Sequence, residues 1–261
     1  MGILSILFGC KRTPSYHQKN GEWFFKEEKI NLSKNAYLLP INDFFAKDNE
    51  VGYYRGVAMI GSSAIGFIPM DQYYAKDHKV VFFCDTYRMG QEYFLNKHVR
   101  ITKLKDADAK SFLTIKEGYA KDYRKVYVMG VVLEHADPVS FKVLDYGFSS
   151  DKKQAYYDSK SIEGSDGITF EVLKSDYAKD KLNVYYSSLL ADKNGNHIQS
   201  IKGADPLSFK VLGSNYASDI RAVYYQAKRI NVNPINFRLV EGKEWDATSD
   251  GIRFLKGEKF P

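Results

Sequence analysis

Cysteine is nearly absent: Cys10 and Cys84 are the only two in 261 residues, which excludes a disulfide-stapled scaffold. No apolar run is long enough to span a bilayer. No run of five like charges occurs, so there is no polybasic arm. The glycines form no phosphate-cradling motif, and a Gly-x-Ser-x-Gly elbow is missing. The five histidines, His17, His78, His98, His135 and His197, stand in unrelated contexts without metal-ligand spacing. We therefore expect no metal, no cofactor and no catalytic residues, and a protein that is not an enzyme.

The chain is 44% hydrophobic, 15% aromatic and 27% charged, the composition of a globular protein with a sizeable core. Its 38 basic and 32 acidic residues are interleaved, so the net charge of +6 describes a mixed surface rather than a nucleic-acid patch. Cys84 follows Val81-Phe82-Phe83 and reads as a small buried apolar residue. Residues 1–15 are an apolar N-terminal segment. Within it, Leu7-Phe8-Gly9-Cys10 resembles a lipoprotein processing site, with Cys10 as the lipidated residue. The apolar run is short for a signal core and no basic residue precedes it. The expectation is a cytoplasmic protein, with a membrane-anchored lipoprotein attached through Cys10 as the alternative.

What the sequence has in abundance is aromatics in a fixed frame. Asp48, Asp77, Asp122, Asp151, Asp180 and Asp219 each have an aromatic residue three positions before and another five positions after. The anchors recur at intervals of 29, with insertions of 16 and 10 residues after Asp77 and Asp180. One interval before Asp48, Tyr16 and Phe24 keep the aromatic positions around Lys19. A fixed period means one supersecondary unit copied along the chain. We expect a mainly β fold: a tandem array of about seven 29-residue β-hairpin repeats in a curved or elongated domain over 16–232, with a divergent C-terminal cap over 233–261.

In each unit the aspartate suits the hairpin turn, because its carboxylate accepts from an N–H two residues on. The next strand alternates. Gly52, Val81, Val126, Ala155, Val184 and Val223 share a face with the residues two further on, which predicts a core face. The aromatic between them, as in Tyr185, is expected to be half-buried with its hydroxyl reaching water or backbone. Asp108, Asp137, Asp166, Asp205 and Ser63 lie four residues before a phenylalanine, and Asp137 and Asp205 precede proline. That pattern predicts a short helical turn in each unit, with an extended segment also compatible.

Asp180-Lys181-Leu182-Asn183-Val184-Tyr185-Tyr186 and Asp151-Lys152-Lys153-Gln154-Ala155-Tyr156-Tyr157 resemble the frame of bacterial DKNYY-repeat proteins. The resemblance implies no catalytic residue, cofactor or substrate. It implies an immunity or partner-binding role, since such proteins occur beside secreted-toxin loci. A more distant likeness is to aromatic hairpin repeats that bind choline, but those depend on tryptophan and this chain has only Trp23 and Trp245.

The two insertions, near 84–105 and 187–202, fall at the same point of the unit and are expected to emerge on one side. Insertions of this kind build binding faces, and Tyr, Arg and Met are interface-prone. Tyr87, Arg88, Tyr93 and Asn194 are the expected partner contacts, although Asn194-Gly195 also reads as a plain hairpin turn. The expected function is non-enzymatic protein binding, as an immunity protein that occludes a bacterial toxin. The alternative is an envelope-associated module for glycan or lipid headgroups.

Overall fold

Four short strands, Glu171–Val172, Tyr177–Lys179, Val184–Ser187 and Ile198–Ser200, pair in chain order as an antiparallel meander around Asp180. The computed structural model describes residues 14–33, 36–90, 97–116, 118–174, 176–191 and 195–260, among which there is no α-helix. The chain forms two compact units, Met1–Tyr123 and Arg124–Pro261. Among the described residues, seven sheets of three or four strands lie wholly within one unit or the other. The first, Tyr16–Lys19 to Glu28–Lys29, has three strands, and Arg238–Leu239 to Glu258–Phe260 form a four-stranded sheet of the same order.

The frame aspartate closes its own turn. Asp180 Oδ1 accepts from the N–H groups of Leu182 and Asn183, both at 2.7 Å. Its Oδ2 accepts from Tyr185 Oη and from Asp166 N, both at 2.8 Å. Asp151 and Asp219 make the same four bonds. A carboxylate has about four acceptor sites, so these are fully used. Two sheets lack the aspartate, having Lys19 or Ser249 in its place. Their loops are Asn20-Gly21 and Asp250-Gly251, with φ of 52° and 78°, and of 52° and 75°. Such left-handed pairs make a tight hairpin turn by backbone alone, so no carboxylate is needed there.

Consecutive sheets stack within each unit. Phe148, Ala155 and Tyr157 of one sheet meet Phe170, Ala178 and Tyr185 of the next. Tyr177, Val184 and Tyr186 meet Phe209, Ala217 and Tyr224 in the same way. A sheet between two neighbours has no solvent face, and this corrects one expectation. Tyr53, Tyr156, Tyr185 and Tyr224 are not half-buried but at most 3% exposed, with their hydroxyls on the frame aspartates rather than in water.

The rest of the frame links each copy to the following one. Tyr177 Oη lies 2.8 Å from the carbonyl oxygens of both Asn215 and Gln226, which share its one proton. Tyr216 Oη likewise meets Trp245 O at 3.0 Å and accepts from Gly257 N at 2.8 Å. Lys76 Nζ reaches the carbonyls of Ala109 and Phe112, and Lys179 Nζ that of Pro206. Alanine follows the tyrosine because its position faces the preceding sheet: Ala75, Ala178 and Ala217 are fully buried. In the sheet of Ser249 the linking face changes character. Asp246 and Arg253 occupy the places of Tyr216 and Val223 and form an ion pair.

The expected helical turn in every unit is not found as a helix among the described residues; two copies have a single hydrogen-bonded turn at that place. Phe141 N donates to Asp137 O at 3.0 Å, and Phe112 N to Asp108 O at 2.9 Å. Ser140 Oγ bonds the Asp137 carboxylate at 2.5 Å and accepts from Lys152 N at 3.0 Å. The chain then extends into the strand Lys142–Val143. One turn does not recover the cost of nucleating a helix, whereas a strand pairs at once with its neighbour.

Candidate partner-binding surface

The first insertion lengthens a strand. Val81–Tyr87 pairs with His98–Lys103 from Phe82↔Lys103 to Tyr87↔His98. Its base is core, with Phe82, Phe83 and Cys84 at most 2% exposed. Burial pushes the Cys84 thiol up, which keeps it an inert apolar residue as expected. Towards the tip the pattern opens to solvent. Asp85, Tyr87, His98 and Arg100 share one face by alternation. Arg100 grips the Asp85 carboxylate with two nitrogens, Nε at 2.7 Å, and its guanidinium lies 5.9 Å from the Tyr87 ring centre. The Tyr87 and His98 rings are 5.4 Å apart. Tyr87 is therefore exposed yet held by its neighbours His98 and Arg100. Arg88 follows it on the exposed tip.

The second insertion, in the second unit, is a shorter arm. Val184–Ser187 pairs with Ile198–Ser200, and Ser188 N donates to His197 O at 2.7 Å. Lys160 Nζ donates to Gly195 O at 2.9 Å. Leu189 and Leu190 stand out at 95% and 83% exposure. Of the residues expected to bind a partner, the structure brings Tyr87 and Arg88 together. Tyr93, Asn194 and Cys10 lie outside the described residues.

A third feature escaped the sequence reading. Val139, Ile168, Leu207 and Ile235 occupy the same place in four successive copies of the second unit, two residues after Asp137, Asp166, Asp205 and Asn233. They are 85%, 76%, 91% and 74% exposed. In a single turn, a residue two after the cap points about opposite to the residue four after it. Sending Phe141 inward therefore sends Val139 outward. One exposed aliphatic side chain thus recurs at the same place in each of four copies, a series called here the ladder. The sequence carries the signal, an aliphatic residue at constant offset from each capping residue, but a constant offset alone does not say on which side the residue lies.

Neither arm nor ladder uses the frame aspartates. Burial disfavours the Asp151 charge, yet the N–H groups of Asp137, Gln154 and Lys153 and the Tyr156 hydroxyl outweigh it and hold the carboxyl below its usual range. Tyr224 is pushed up to about 12 by burial and by its bond to Asp219. These groups are locked in one protonation state across the neutral range. Among the described residues no three His, Cys, Asp or Glu side chains converge as a metal site.

The model of the DKNYY family matches residues 67–160. No curated protein and no solved structure matches the chain.

Proposed function

Taking residues 67–160 as DKNYY-family sequence, we propose that this protein is a non-enzymatic binding scaffold whose partner is another protein. In this reading the family frame builds the stack, and recognition falls to residues the stack leaves outside. The ladder of Val139, Ile168, Leu207 and Ile235 carries it, because four aliphatic side chains at least 74% exposed at one repeated position contribute little to the fold. Burying each against a partner is worth roughly 1.5–3 kcal/mol. Tyr87 and Arg88 on the first arm supply an aromatic and a cation of the kind that anchors interfaces.

The partner we propose is a bacterial toxin, neutralised by occlusion of its active surface without chemistry by the inhibitor. The test is co-expression with the product of a toxin gene adjacent to this one. Growth restored by the intact chain supports the reading. Toxicity undiminished by full-level expression of the folded chain overturns it.

A further inference from the structure

In the second unit each sheet leaves its fourth strand as an edge, with backbone groups unpaired on the outer side. Between the edge strands Lys228–Ile230 and Glu258–Phe260 runs a groove of ≈ 470 Å³. Lys228, Arg229, Lys256 and Lys259 line it, against one carboxylate, Glu258. None of these four cations is in an ion pair among the described residues. In this unit Lys152, Lys181 and Arg253 each pair with an aspartate, whereas Lys142, Lys153 and Lys210 form no ion pair among the described residues; the groove differs in gathering four cations against one carboxylate. The groove thus holds a local excess of positive charge in a chain whose total is only +6.

Its floor is apolar, with Val232 half-buried and Ile252 at 36% exposure. Lys256 is held in place, its ammonium 4.8 Å over the Trp245 ring. We propose that this groove binds an acidic, extended polypeptide segment. Its carboxylates meet the four cations, its alternate apolar side chains meet the floor, and its backbone lies beside the edge strands. The cations surround a recess rather than a convex face, which suits a single extended chain better than a bilayer or a duplex. This site is separate from the aliphatic ladder and stands or falls independently of it.

Fluorescence anisotropy on the full chain tests it, using a labelled short peptide that alternates Glu and Val. Lys228→Glu with Arg229→Glu should weaken binding by at least ~10-fold, and added salt should weaken it for the unaltered chain. Lys142→Glu with Lys210→Glu changes the net charge equally at exposed sites of the same unit, and should leave affinity within about twofold. Should the charge reversal perturb folding, Lys228→Gln with Lys259→Gln should still give a clear loss. The proposal is overturned if the two reversals lose affinity equally, or if a Gln-Val peptide binds as well. It is also overturned if phosphatidylserine vesicles or duplex DNA bind the same lysines more tightly than the peptide.

Discussion

Asp151 Oδ2 lies 2.8 Å from Tyr156 Oη, and the same oxygen accepts from Asp137 N at 2.8 Å. One carboxylate thereby ties a hairpin turn, a buried ring and the preceding capping turn together. Asp151→Asn puts an amide where both donors point and leaves one of them unpaired. It should cost about 2–4 kcal/mol, against about 1–2 for Tyr156→Phe, which removes one of the carboxylate's four bonds and the bond from Gln154 Nε2. Denaturant unfolding of the two variants checks the order; an asparagine no costlier than the phenylalanine would contradict it.

Tyr177 donates into the next sheet, where Gln226 N also bonds Asn215 O. Phe45 and Phe148 hold the same position without a hydroxyl, so the ring alone suffices for packing. Tyr177→Phe should therefore cost only about 1 kcal/mol. The loss should appear as faster hydrogen exchange at the Gln226 amide, with that of Ala155 unchanged.

Gly167 sits where an added Cβ would meet Asp151 O at 2.1 Å and Gln154 O at 2.6 Å. These are backbone atoms of the preceding hairpin turn, which cannot rotate away. Gly167→Ala should destabilise by roughly 1–3 kcal/mol, as overpacked sites do, and the thermal midpoint of the purified variant reads it.

The pH dependence has two edges. The carboxyls of Asp48, Asp77, Asp151 and Asp219 are lowered: burial opposes this, but hydrogen bonds win. Their contribution is complete above the ordinary carboxyl range and is lost as pH falls below about 4. The phenols move the other way, with Tyr186 and Tyr224 pushed up to about 12, chiefly by burial. A raised phenol contributes fully below its unfolded value of about 10 and loses that contribution as pH climbs through the folded value. Thermal melts should show a plateau from about pH 5 to 10, with loss on both sides.

The period of 29 and the turn role of the aspartates were legible because they depend on local chemistry: a carboxylate capping the amides just beyond it. The double burial of Tyr156 and Tyr185 was not. Alternation separates the two faces of a strand but does not reveal that a second sheet covers each of them. The aspartate-free loops at Asn20-Gly21 and Asp250-Gly251 show the same limit, since there a backbone conformation replaces a side chain. The insertions were found as departures from the period, and Tyr87 and Arg88 do stand on an arm. The ladder was not legible because a constant offset from the capping residue repeats equally for a buried position and an exposed one, as Phe141 and Val139 show.

If the proposed partner is a toxin encoded beside this gene, the most direct measurement is calorimetric titration of that toxin with the full chain. It is repeated with Val139, Ile168, Leu207 and Ile235 all changed to serine. The variant should melt within a few degrees of the parent, because these side chains lie outside the core. Its affinity should fall at least ~100-fold, the loss expected from exposing four aliphatic anchors. A variant that folds and binds as tightly as the parent would contradict recognition through the ladder.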